Sequence, residues 1–139
     1  MRIIGFNFTK ISGKRLNEGA GPSGELKINT DIEIPELKEV KSDILKTKEE
    51  ILAAKFTYTI NYNPNFAKIE LEGKILLALE PKAAKEILKQ WKKKKISEDF
   101  RIPLFNVILK KSSLKALDLE EELNLPLHIP MPSFRKEKK

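Results

Sequence analysis

Apolar and polar residues alternate most regularly over residues 56–79. Phe56, Tyr58, Ile60 and Tyr62 are interleaved with Thr57, Thr59 and Asn61, and after a turn Ile69, Leu71, Ile75, Leu77 and Leu79 recur at period two. That period predicts two β-strands, each with one face for a core and one for water. Asn63-Pro64-Asn65 suits the turn between them, because proline presets φ and asparagine tolerates the left-handed region. A lone hairpin is marginal in water, so its apolar side demands a cover from the rest of the chain.

The same period opens the chain. Residues 2–14 read as a strand with Ile4, Phe6 and Phe8 on one side, and a bulge near Lys10 returns Ile11 to that side. Residues 13–24 hold four of the six glycines and predict a crossover loop. A further strand follows at 25–34, with Leu26, Ile28, Ile32 and Ile34 on one face, and Pro35 ends it because proline cannot continue a central ladder. Residues 36–54 are charged, with sparse apolar positions. They read either as a loop with a short helical turn or as extensions of the flanking strands.

Helical spacing then takes over. Pro81 suits a first helical residue, and Ala84, Ile87, Leu88 and Trp91 form a core-facing stripe. Pro103 predicts the start of a second helix, whose apolar residues nearly surround its first turns. A helix apolar on most sides is covered on two of them, which assigns Leu104, Phe105, Ile108 and Leu109 to an oligomer interface beside the sheet contact. Residues 118–124 read as a polar turn or short helix. Three prolines in 125–132 predict extended chain, and 135–139 a basic disordered tail. The predicted class is α+β: a four-stranded antiparallel sheet with a long first crossover, followed by two C-terminal helices packed on one face, in a single domain over 1–134.

Composition adds bounds. A chain of 139 residues can build one core without staples, and the absence of cysteine removes disulfides, thiolate ligands and cysteine nucleophiles. That fits a reducing, cytoplasmic setting. No apolar window is long enough to span a bilayer. Charged residues make up 34% of the chain against a single glutamine, a balance that leans towards a heat-adapted source. The net charge of +7 is local: residues 81–95 carry seven lysines and one glutamate, and 135–139 four cations and one anion. The basicity therefore belongs to one helix and one tail.

Candidate chemistry is sparse. No glycine-rich phosphate loop precedes a helix, and His128 is the only histidine, which excludes multi-histidine metal sites and a Ser-His-Asp arrangement. His128 reads as a partly packed surface residue, and Glu120 to Glu122 as a solvated helix face. Nothing supports catalysis, a metal or a cofactor, so the chain reads as a non-enzyme. Two features carry functional weight. Lys89, Lys92, Lys93, Lys94 and Lys95 form a candidate anion-binding run for RNA or the ribosome, with salt-dependent affinity. Leu16, Leu37, Val40, Ile129, Met131 and Phe134 are surplus apolar residues outside the expected core, as at an interface.

The order of elements resembles the SecB-like chaperone family. GFNFTKISGK resembles the family's first strand, GELKINTDIEIPEL its second, and the 56–79 hairpin its third and fourth. IPLFNVILKK resembles its long helix, and LPLHIPMPSF the proline-containing segment that follows. The resemblance covers residues 2–134. It implies an ATP-independent holdase that binds unfolded polypeptide clients and assembles as homo-oligomeric dimers or dimers of dimers. Client binding would then fall in apolar grooves at Leu16, Leu37, Val40, Ile129, Met131 and Phe134. Bacterial members are acidic, which serves docking to the translocation motor; this chain is basic at one helix and its tail, so motor docking is not carried over. The competing function is nucleic-acid or ribosome binding through 82–95 and the tail, and a scaffold or antitoxin-associated partner is a third.

Overall fold

The computed structural model describes residues 1–16, 25–41 and 48–136. Four strands, β1 (Arg2–Arg15), β2 (Lys27–Val40), β3 (Glu50–Asn63) and β4 (Ala67–Leu79), form one antiparallel sheet in the spatial order β1-β4-β3-β2. The last three make a meander and β1 lies beside β4. The chain therefore passes from one edge of the sheet to the other between β1 and β2, which is the long first crossover. Two helices, α1 (Pro81–Lys92) and α2 (Glu98–Glu122), follow on one face.

Register puts the alternating apolar rows together. Ile60 lies opposite Ile69, Tyr58 opposite Leu71, Ala54 opposite Ile75 and Leu52 opposite Leu77, and all are buried beneath the helices. Fully burying one such aliphatic side chain contributes about 1.5–3 kcal/mol, so this double row is the main source of stability. One end of it packs against Ala84, Ile87, Phe100, Leu104 and Ile108, the other against Ala116 and Leu125. Helix α2 thus runs the length of the sheet. The opposite face is largely polar, with Glu70 held by Lys10 and Lys68 at 2.8 Å each and Glu36 by Lys55 at 2.9 Å. Phe56 faces Gly73, where an added Cβ would lie 2.5 Å from both the Phe56 ring and the Asn7 carbonyl oxygen. Glycine is required there by close approach.

The bulge expected near Lys10 falls between Phe8 and Lys10, and another lies between Ile3 and Gly5. The turn places Asn65 at φ 42°. Two proline readings are corrected. Pro35 does not end β2, which continues to Val40. It sits in a register shift between Glu33 and Glu36 on an edge strand, where the missing N–H interrupts no ladder. Pro103 does not start α2; it lies inside a helix that begins at Glu98 and continues unbroken to Glu122. Buried Phe100 anchors the first turn, Glu98 and Asp99 complement the dipole there, and the lost hydrogen bond is one near the helix end. The segment left open at 36–54 resolves as strand extension on both sides, while 42–47 lie outside the described residues. So do 17–24 of the expected crossover loop and 137–139 of the expected tail.

Candidate functional site

Lysines crowd the end of α1 because the helix closes there. The backbone N–H groups of Lys93, Lys94 and Lys95 turn back onto the Gln90 and Trp91 carbonyls, and Lys94 takes φ 55°. The Gln90 side chain then accepts the Ser97 N–H at 3.0 Å, fixing the link into α2. This turn folds Ile96 and Trp91 against the main core and leaves a groove of about 700 Å³ beside the β2 bulge. Its floor is apolar: Ile34 and Pro35 from β2, Trp91 and Ile96 from the turn, Phe105 from α2. Its rim is cationic, built from Lys92, Lys94, Lys95 and Arg101. Arg101 meets Glu98 at 3.7 Å, whereas none of the three rim lysines has a carboxylate partner among the described residues. Such a site offers an apolar bed and an attraction for negative charge. Lys89 and Lys93, from the expected anion-binding run, are exposed but do not line it.

The expected client-binding residues do not share one groove. Leu37 lies opposite Ala54 and Val40 opposite Ile51, at the α1 end of the sheet. Leu16 follows Arg15, which lies opposite Ala67 at the hairpin end. Counting from Ala54 to Tyr62 at about 3.3 Å per residue, Leu37 and Arg15 are offset by roughly 25 Å along the strands alone, and they lie on opposite edges of the sheet. Leu37 is moreover a core residue, packed into the cluster beneath α1 and α2, so its side chain is not offered to a client. Val40 and Ile129 are partly buried, and Leu16, Met131 and Phe134 are exposed. Of the expected interface residues, Leu104 and Ile108 are fully buried against their own sheet and so are unavailable to a second copy. Phe105 is partly exposed and Leu109 exposed, as is Ile102, which lies in line with Leu109 on the helix.

Two acid-base residues read as surface groups are buried instead. Glu120 has no exposed side-chain area and His128 only 4%. Glu120 Oε1 lies 2.6 Å from His128 Nδ1, while Oε2 accepts the His128 backbone N–H at 2.9 Å and the Tyr62 hydroxyl. His128 Nε2 is 3.0 Å from the Tyr58 hydroxyl, itself 3.2 Å from Ser113 Oγ. The arrangement that satisfies each member has Nδ1–H donating to Glu120 and the Tyr58 O–H donating to Nε2. Burial raises both phenols above the ordinary tyrosine value. For Tyr62 the hydrogen bond to Glu120 raises it further, and for Tyr58 the Ser113 hydroxyl partly opposes the rise. Tyr58 and Glu120 are sealed from solvent, so this relay reaches no substrate. It pins the chain at Leu125 and His128 onto α2 and the sheet. The signal in the sequence was the pair of tyrosines on the core-facing row, since a buried phenol needs a polar partner.

Together these features define an α+β protein with one antiparallel sheet, helices on one side, and apolar surface left uncovered along α2 and the segment beyond it. A solved structure of this architecture is that of the Mycobacterium tuberculosis Rv1957 SecB-like chaperone, in complex with a ChAD peptide from the Rv1956 HigA1 antitoxin. The two superpose with a TM-score of 0.55 at 13% identity, covering 98% of this chain and 92% of that one. At that identity the likeness is one of fold. No family model matches the chain, and no curated protein does. Among the described residues no helix is long and apolar enough to cross a membrane, and no group of three or more His, Cys, Asp or Glu could hold a metal.

Proposed function

We propose that this chain is a holdase-type chaperone that binds non-native polypeptide on apolar surface, without nucleotide. The observation that carries the reading is the exposure of large apolar side chains on α2 and the segment after it, Leu114, Leu127, Met131 and Phe134, beside a second exposed set, Ile3, Ile4, Ile11 and Leu16, along β1 and just beyond it. Unfolded segments expose the same kind of surface, and dehydrating both is favourable without demanding a particular sequence. The end-to-end likeness in fold to a SecB-like chaperone solved with a peptide supports it. The outer face of α2 at Ile102 and Leu109 is where a second copy would pack, giving a homo-oligomer. The second reading, RNA or ribosome binding, is favoured by Lys92, Lys94 and Lys95 at the α1 end, which have no carboxylate partner among the described residues.

Aggregation of a reduced model substrate, followed by light scattering with and without the protein, tests the proposal. Suppression that weakens in the double variant Met131→Ser with Phe134→Ser supports it, because both side chains are exposed and their loss spares the core. No suppression, together with tight RNA binding that falls steeply with salt, replaces it with the second reading. Mass in solution, measured for the wild type and for Leu109→Glu, tests the assembly.

A further inference from the structure

The exposed apolar residues on α2 and beyond leave the groove beside the β2 bulge without a role. Its floor and rim have opposite characters. Ile34, Pro35, Trp91, Ile96 and Phe105 form a concave apolar surface, and Lys92, Lys94, Lys95 and Arg101 stand around it. A volume of about 700 Å³ is within the range of about 300–1,000 Å³ typical of ligand pockets. β2 is also an edge strand, so one row of its backbone groups beside the groove is not engaged by another strand among the described residues.

We infer that this groove holds an acidic, extended polypeptide segment, with a bulky apolar side chain on the floor and flanking carboxylates on the lysine rim. This deepens the polypeptide-binding reading and rests on it, by giving one site a charge preference. Charge complementarity selects the occupant. The chain's own end carries Arg135, Lys136, Lys138 and Lys139 against one glutamate, so it is repelled by the lysine rim. The four cations converge on one apolar concavity, instead of following a backbone as cations do along a single-stranded nucleic acid. The floor mixes Ile34, Pro35 and Ile96 with the rings of Trp91 and Phe105, a surface that suits a leucine or phenylalanine side chain; the same two rings could stack a base, which the RNA probe below decides. The edge of β2 adds a means of holding an extended backbone independently of sequence.

Trp91 is the only tryptophan, so its fluorescence reports the groove directly. The full chain is titrated with a tryptophan-free synthetic peptide in which Glu and Asp alternate with Leu and Phe. Control probes are the same peptide with Gln and Asn for the acids, the same with Ser for the apolar residues, and a single-stranded RNA of similar length. The acidic apolar peptide is expected to shift Trp91 emission and to bind at least about tenfold tighter than each control. The double variant Lys94→Glu with Lys95→Glu is expected to lose about tenfold or more in affinity for it, with an unchanged circular dichroism spectrum because both side chains are exposed. Equal binding of the Gln/Asn peptide, undiminished binding by the charge-reversed variant, or tighter binding of the RNA each overturns the inference, and the last assigns the groove to nucleic acid. Aggregation suppression is measured on the same samples. Suppression that persists while the acidic peptide fails to bind sinks the groove assignment alone, whereas loss of both sinks polypeptide binding as well.

Discussion

Glu120 is the most demanding buried group in the molecule, and removing it gives the sharpest test of how the helices and the following segment are held. Its carboxylate receives the Tyr62 hydroxyl, the His128 backbone N–H and the His128 ring, all away from water. Glu120→Ala takes the acceptor away and leaves three donors behind. A buried donor without a partner costs about 1–3 kcal/mol, and relief from burying a carboxylate offsets part of that. The expected net loss is about 3–5 kcal/mol, a large share of the roughly 5–15 kcal/mol that keeps a domain folded. Glu120→Gln behaves differently. Its amide oxygen still accepts from Tyr62 and the His128 N–H, while its NH2 donates to Nδ1 once the ring carries its proton on Nε2 and donates to Tyr58. That substitution is expected to cost only about 1 kcal/mol. Urea unfolding at fixed protein concentration measures both, with limited proteolysis reporting release of the chain beyond Leu125 in the alanine variant. If Glu120→Ala unfolds within about 1 kcal/mol of wild type, or if glutamine is as damaging as alanine, the network does not hold the structure as argued.

Tyr58 and Tyr62 are the only tyrosines, both are buried, and both phenols are raised above their ordinary value. The folded state therefore keeps protons that the unfolded chain releases above pH ~10, so their contribution to stability is complete below that pH and declines above it. Tyrosinate absorbance is expected to rise only together with loss of circular dichroism; ionisation of the folded protein near pH 10 would contradict the placement. Gly73→Ala drives a Cβ to 2.5 Å from the Asn7 carbonyl oxygen and the Phe56 ring, and is expected to cost about 1–3 kcal/mol or more in urea unfolding, partly recovered by Phe56→Leu. A neutral effect would mean that β1 and β4 are farther apart there than described. Glu70 is lowered to about 2 by hydrogen bonds from Lys10 and Lys68, so its contribution is present above the ordinary carboxylate value of 4.5 and is lost as pH falls towards 2. Because the ion pairs lie at the surface and are screened by water, the effect is small, under about 1 kcal/mol. Glu70→Gln should lose correspondingly less stability between neutral and acid pH than wild type does, and identical acid profiles would count against the ion pairs.

The sheet was readable because period-two alternation is a property of a strand alone: the rows from Phe56 to Tyr62 and from Ile69 to Leu79 face the helices as their spacing demands. Pro35 and Pro103 misled because the rule against proline applies to the middle of a ladder or helix, and neither residue is in the middle. Edge and end positions are set by which neighbours arrive, and a single strand's pattern does not contain that. The groove shows the same division. Its lysines stand out as a run, but Ile34, Pro35 and Arg101 reach it from other elements, and nothing local marks them as partners. The buried network has a cause on the same strands. Tyr58 and Tyr62 lie on a row that must be covered, so each hydroxyl obliges the covering elements to supply a polar group. Among the described residues, α2 and the chain after it cover that end of the sheet, and they supply Ser113, Glu120 and His128. With phenylalanine at 58 and 62 the obligation would vanish, the carboxylate would have no reason to be inside, and the proline-rich segment would lose most of what fixes it. The two tyrosines thus determine where that apolar segment is anchored, and with it the position of the exposed side chains proposed to meet clients.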